Sequence, residues 1–131
     1  MNPAPIRNAL TIDVEDYFHV SAFASHIARA DWDRMPCRVE RNVDAILELL
    51  EEQKAHATYF MLGWVAERYP GLVRRIVDQE HVLACHGYAH QRATEQSREE
   101  FRQLNVAAEA KAERERQEFR EFSEGFSRGA R

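Results

Sequence analysis

Three short apolar segments alternate with two amphipathic helical segments in the first part of the chain, and this order constrains the fold more than any other feature. The apolar segments are residues 8–13, 56–62 and 81–85, which are too short for good helices and read as buried strands. The helical segments between them are residues 38–53 and 70–79. Strands joined by helical crossovers predict a parallel sheet, and therefore an α/β fold of the open doubly wound or β/α-barrel type.

The two helical segments are each predicted from an apolar stripe. In residues 38–53 the apolar positions recur at helical spacing: Val39, Val43, Ile46, Leu47 and Leu50. Pro70 suits the first position of the second helix, since its missing N–H would have no partner there. Both stripes are expected to pack on the sheet. Residues 17–36 carry aromatic side chains without a period, which predicts a long loop containing a helical turn.

The end of the chain has a different composition. Residues 107–118 are charged and helix-forming but contain no large apolar side chain, which predicts a solvated helix. Phe119, Phe122 and Phe126 then form a late apolar stripe. We therefore expect one domain over residues 1–103 and a charged helical tail over residues 104–131 that is not native to the fold.

Charge and hydropathy exclude two classes of partner. The net charge of −4 and the pI of about 5.9 give no basic excess for a phosphate backbone, so nucleic acid is not expected to bind. No apolar run reaches the roughly 18 residues of a membrane span, and the first residues lack the core of a secretory signal. Cys37 and Cys85 are expected to be free thiols. These features predict a cytoplasmic protein.

Two groups of chemically active side chains follow predicted strands. Asp13, Glu15 and Asp16 lie at the carboxyl end of the first strand or just past it, and His86 and His90 follow the third. Taken alone, the acids suit a turn or a helix cap, and an H-x3-H pair arises easily in a chain with six histidines. Parallel strands, however, bring both groups to one edge, where carboxylates repel each other unless a cation is present. Two histidines and one carboxylate would leave coordination positions of a divalent metal open, as a catalytic metal requires.

Three blocks of sequence follow one another along the chain: TIDVEDYF at residues 11–18, ATYF at residues 57–60 and HVLACHGYAH at residues 81–90. Together these blocks resemble the NodB-type polysaccharide deacetylases, which form carbohydrate esterase family four. The resemblance covers about residues 8–103. The D-V-E-D-Y-F run is similar to that of a bacterial subgroup linked to exopolysaccharide gene clusters.

The resemblance implies a fold, a reaction and a set of site residues. The fold would be the amino-terminal part of a distorted β/α barrel, and the reaction the removal of N-acetyl groups from a polysaccharide or oligosaccharide. Asp13 would be the general base, while a second acid, His86 and His90 would bind zinc or a similar metal. The second acid stays open: Glu15 shares a strand face with Asp13, whereas a turn from Val14 would bring Asp16 inward. The strand period slightly favours Glu15.

The sequence also departs from the family pattern. After Gln103 it has no counterpart of the Arg-x-Pro segment, of the aspartate-containing strand or of the general-acid histidine. Lys54, Ala55 and Glu80 stand where family members usually have turn glycines. Three strands cannot close a barrel, so we expect a truncated domain whose carboxyl-terminal part is missing.

These departures support a competing hypothesis. The chain would be a non-catalytic remnant that binds metal weakly and self-associates, or pairs with its missing part, through its exposed sheet and tail. A structural zinc module is the least favoured hypothesis, since structural zinc sites usually have four protein ligands, rich in thiolate, and no open coordination position.

Overall fold

The computed structural model of the protein describes residues 8–104. The chain divides into two compact units, Met1–His90 and Gln91–Arg131. The predicted charged helix and the phenylalanine stripe lie outside the described residues, so the boundary after residue 103 stays a prediction. In the second unit a 3-10 helix spans Ala93–Glu95, and a helix begins at residue 98.

The first unit contains the predicted strand–helix order. Its elements are β1 (Thr11–Val14), α1 (Val39–Glu52), β2 (Thr58–Met61), α2 (Gly63–Arg68), α3 (Pro70–Asp78) and β3 (Val82–Cys85). Each strand is shorter than the apolar segment that predicted it, because only four residues of each strand pair with a neighbour. The long loop was predicted to contain one helical turn. It contains three 3-10 helices, at Tyr17–His19, Ser21–Phe23 and Arg29–Arg34.

The three strands form a parallel sheet in the order β1-β2-β3, which confirms the predicted topology. Val14, Tyr59 and Met61 are buried in the same core as the apolar faces of α1 and α3. Strand residues alternate between the two faces of a sheet. The opposite face therefore carries Asp13 and Val82, which are both exposed. We call this second side the open face of the sheet.

Two turns place non-glycine residues in the left-handed region. Lys54 has φ of 51° after α1, and Glu80 has φ of 60° after α3. These are positions where the family resemblance implied glycine, which adopts this conformation without a steric penalty. The turns are thus retained despite a cost of roughly 1 kcal/mol each.

Among the helices of residues 8–104, none combines the length and the hydropathy that a membrane span requires.

Candidate metal centre

Because the strands are parallel, the segments after β1 and β3 meet at one edge of the sheet, as predicted. There Glu15, His86 and His90 each offer a ligand atom, and these atoms lie within 4.8 Å of one another. The Glu15 Oε2 atom is 3.3 Å from Nε2 of His90 and 3.9 Å from Nε2 of His86. The two imidazole rings are 5.1 Å apart between centroids. One carboxylate and two imidazoles therefore converge on a common point.

Two atoms of this group lack the partners that buried polar atoms normally have. Glu15 Oε2 and His86 Nε2 are both buried, and neither forms a hydrogen bond, since the 3.3 Å contact between Glu15 Oε2 and His90 Nε2 does not have hydrogen-bond geometry. Burying a polar group without a partner costs free energy, so such atoms in native proteins call for an explanation. Two imidazole nitrogens and one carboxylate oxygen are a donor set typical of catalytic zinc sites. The residues present thus fit a divalent metal.

Asp13 occupies a different position from the three converging residues. It is paired in register with Phe60 on the sheet, and its Oδ2 atom lies 4.0 Å from Nε2 of His86. Its side chain is 57% exposed, whereas that of Glu15 is 17% exposed. The Asp13 carboxylate therefore borders the group from the solvent side, where water and a ligand can reach it.

Asp16, the alternative second acid, is turned away from the group and is buried. One carboxylate oxygen accepts hydrogen bonds from the backbone N–H groups of Arg38 and Val39, and the other accepts one from Tyr17. Burial disfavours the charged carboxyl, but these bonds and one from the Cys37 thiol outweigh it and lower the pKa of Asp16. Asp16 caps α1, and the geometry favours Glu15 as the acid of the group.

His19 completes the turn that Asp16 begins. Its Nδ1 atom accepts a hydrogen bond of 2.7 Å from the backbone N–H of Asp16, which forms a reciprocal capping box. The ring is buried against Phe18, Trp32 and Trp64. Burial lowers the pKa of His19 to about 4, against the opposing effect of the Asp16 charge. His19 is consequently a neutral, structural imidazole near neutral pH.

The histidine loop is held mainly by backbone bonds. The first N–H groups of α2, from Gly63 and Trp64, donate to the carbonyl oxygens of Gly87 and Tyr88 at 2.9 Å each. Gly87 has φ of 74° and His90 has φ of 53°, so the loop makes two left-handed turns. These turns direct His90 back towards the end of β1.

Ser21 contacts the converging group, although nothing in the sequence marks it as a candidate. Its Oγ atom lies 3.3 Å from Nδ1 of His90, although 69 positions separate the two residues. No periodicity or motif signals this pairing, because it depends on the path of the loop after β1. The only indication in the sequence was the unusual length of that loop.

Comparisons with known proteins bear on this arrangement. A family model described as polysaccharide deacetylase matches residues 28–120, which include both histidines of the group but not the acids after β1. A peptidoglycan-N-acetylglucosamine deacetylase of Bacillus cereus is 34% identical over 64 residues, covering 49% of this chain and 23% of the relative. A chitooligosaccharide deacetylase of Rhizobium leguminosarum bv. trifolii is 40% identical over 45 residues, covering 34% and 21%.

A solved structure extends the likeness to the fold. The crystal structure of the Bc1960 peptidoglycan N-acetylglucosamine deacetylase is 26% identical, with a TM-score of 0.58. The match covers 82% of this chain and 40% of that protein. The chain thus spans about a quarter or less of the curated relatives and well under half of the solved structure. Since the family model matches more than two thirds of its residues, the chain belongs to the polysaccharide deacetylase family.

Proposed function

We propose that this chain provides the metal-binding and base residues of a hydrolase that removes N-acetyl groups from a polysaccharide. The observation that carries the proposal is the convergence of Glu15, His86 and His90, in which the buried Glu15 Oε2 and His86 Nε2 atoms have no hydrogen-bond partner. Zinc is the metal that best suits two imidazoles and one carboxylate. Glu15, His86 and His90 would hold it.

A divalent metal at this point would supply Lewis acidity to the amide carbonyl and make a nearby water more acidic. The chain's own contribution is the exposed Asp13 carboxylate, 4.0 Å from His86 Nε2. Asp13 accepts a proton from the water while the water oxygen forms a bond to the carbonyl carbon of the amide. Breaking the C–N bond then gives acetate and a sugar amine, which takes up the proton.

The substrate class is inferred from relatives. The similar proteins are named for peptidoglycan N-acetylglucosamine and for chitooligosaccharide, which supports an N-acetylated sugar polymer or oligomer. The D-V-E-D-Y-F run at residues 13–18 favours a role in bacterial exopolysaccharide metabolism. Three strands and their loops would bind such a polymer along the exposed edge that carries Asp13.

The first test is zinc and cobalt binding by calorimetry on the purified chain. We expect binding to the native chain and at least about 100-fold weaker binding after His86→Ala, His90→Ala or Glu15→Gln, because each removes a ligand. The matched control is His26→Ala, which removes an exposed histidine outside the group. Native binding that persists in all three ligand variants would contradict the proposal.

Turnover is tested separately from binding. Acetate release from N-acetylglucosamine oligomers should need added zinc or cobalt and should fall by about 100-fold or more in Asp13→Asn, since general-base catalysis contributes 10²–10⁴-fold. Metal affinity in Asp13→Asn should stay near that of the native chain. Metal binding without acetate release would contradict catalysis while leaving the metal site intact.

That last outcome would support a second candidate function, non-catalytic association. The specific observation in its favour is the open face of the sheet, where Val82 is 59% exposed. Exposed apolar sheet surface is a common site of association. Sedimentation velocity over a range of concentrations would distinguish a self-associating chain from a monomer, and Val82→Lys should weaken the association.

A further inference from the structure

The two ring nitrogens of His90 have different neighbours. Nε2 lies 3.3 Å from Glu15 Oε2, within the converging group. Nδ1 lies 3.3 Å from the hydroxyl oxygen of Ser21. A neutral imidazole carries one N–H and one lone pair, so the bond made by one nitrogen decides what the other can bind.

We propose that Ser21 is a positioning residue that prepares His90 to bind metal through Nε2. A nitrogen that binds metal must present its lone pair, so the ring proton then resides on Nδ1. In that state the Nδ1–H of His90 donates to Ser21 Oγ, which fixes both the tautomer and the rotation of the ring. The inference rests on the proposed function, because it assumes that the group with Glu15 binds a metal.

The backbones of both partners are held independently of this bond. Ser21 opens the 3-10 helix Ser21–Phe23, in which the N–H of Phe23 donates to Val20 and that of Ala24 donates to Ser21. On the other side, the carbonyl oxygen of Ala89 accepts a hydrogen bond of 3.1 Å from Arg29. The hydroxyl and the ring therefore meet because two anchored loops present them, which is the property expected of a positioning contact.

The same loop offers a matched control. Ser25 Oγ lies 2.9 Å from Nδ1 of His26, which is the same kind of hydroxyl–imidazole contact on an exposed histidine. His26 does not belong to the converging group. Ser25→Ala therefore removes an equivalent bond four positions away without touching the site.

The test measures zinc affinity by calorimetry in four proteins: the native chain, Ser21→Ala, Ser21→Thr and Ser25→Ala. We expect Ser21→Ala to bind zinc about 10–100-fold more weakly, as for other partners of metal-binding histidines. Ser21→Thr keeps the hydroxyl and should restore most of the affinity, and Ser25→Ala should bind like the native chain. The unfolding midpoint of metal-free Ser21→Ala in urea should match that of the native chain.

A second readout reports on the ring itself. In side-chain ¹H–¹⁵N spectra of the zinc-loaded native chain, His90 should show zinc on Nε2 and a protected proton on Nδ1. That Nδ1 proton should exchange faster with water in Ser21→Ala and regain protection in Ser21→Thr. Native affinity and native exchange in Ser21→Ala would overturn the role of Ser21 alone, whereas no zinc binding by the native chain would overturn the proposed function as well.

Discussion

The two loops that carry the converging residues are held in place by different kinds of bond. The loop after β1, residues 15–20, is fixed by side chains: the Asp16 carboxylate bonds to the start of α1, and the His19 ring bonds back to Asp16. The loop after β3, residues 86–90, is fixed mainly by backbone bonds to α2 and by two left-handed residues. The position of the loop after β1 therefore depends on the side chains of Asp16 and His19, whereas that of the loop after β3 depends on its backbone conformation.

This difference separates two adjacent acids that the sequence presents as alternatives. Both carboxylate oxygens of Asp16 accept hydrogen bonds from backbone N–H groups, and these bonds stabilise the turn that presents Glu15. Glu15, held beside that turn, leaves its Oε2 atom without a hydrogen-bond partner. Asp16 and Glu15 are thus distinguished by their partners, so we expect substitutions of Asp16 to lower stability and substitutions of Glu15 to weaken the proposed metal binding.

The largest effect is expected from Asp16→Ala. It removes the acceptor for three backbone N–H groups, two of them at the start of α1, where no local side chain provides a cap. Charge-assisted bonds of this kind stabilise a fold by about 1.5–3 kcal/mol each, so the two bonds at the start of α1 alone predict a loss of roughly 3–6 kcal/mol in the free energy of unfolding. Urea unfolding followed by circular dichroism measures it.

Two further variants keep this prediction testable if Asp16→Ala does not fold. Asp16→Asn retains one acceptor oxygen and should cost about half as much, while still binding zinc. Glu15→Gln should change the free energy of unfolding by less than about 1 kcal/mol and lose zinc affinity. The opposite pattern, with Asp16→Asn stable but unable to bind zinc, would identify Asp16 as the ligand.

His19 gives the same loop a pH dependence. Its pKa is about 4 in the folded chain, because burial disfavours the charged ring, while the charges of Asp16, His90 and Arg68 act on it with opposing signs. An unfolded histidine, with a pKa near 6.5, takes up its proton first as the pH falls. Stability should therefore drop by about 2–3 kcal/mol between about pH 6.5 and pH 4, and stay level above that range.

Urea unfolding at about pH 7 and about pH 4.5 tests this effect. His19→Asn keeps an acceptor for the Asp16 N–H and should remove most of the difference between the two pH values. The remainder would come from His81, whose pKa is also lowered by burial and by the nearby His56. His26→Asn, at an exposed position, should keep the native pH dependence. An unchanged pH dependence in His19→Asn would show that His19 is not buried in the neutral form.

The elements of the first unit were predictable because their signals are local. The apolar stripe of residues 38–53 predicted α1 within one residue at each end, and Pro70 marked the first residue of α3. The meeting of the segments after β1 and β3 at one edge of the sheet followed from the parallel sheet alone. The geometry that chooses between Glu15 and Asp16 was not predictable, because it depends on α1, which begins more than twenty residues later.

The contacts of the long loop could not be predicted from the sequence either. Its three 3-10 helices have no apolar period, and their positions are set by packing of Phe18 and Trp32 against Trp64. The bond between Ser21 and His90 joins residues 69 positions apart. Sequence could locate this loop, but only the packed structure shows which hydroxyl lies beside His90.

The smallest expected effect concerns the loop that depends on backbone conformation. Gly87 has φ of 74°, and a Cβ atom added there would meet nothing within 4 Å, so Gly87→Ala tests conformation without a clash. A left-handed alanine should lower the free energy of unfolding by about 1 kcal/mol. Gly71→Ala in α3 is the control, and it should be neutral or slightly stabilising, since alanine favours helix. If Gly87→Ala instead costs nothing while zinc affinity is kept, the histidine loop tolerates a different backbone path, and side-chain contacts such as that of Ser21 must hold His90 in place.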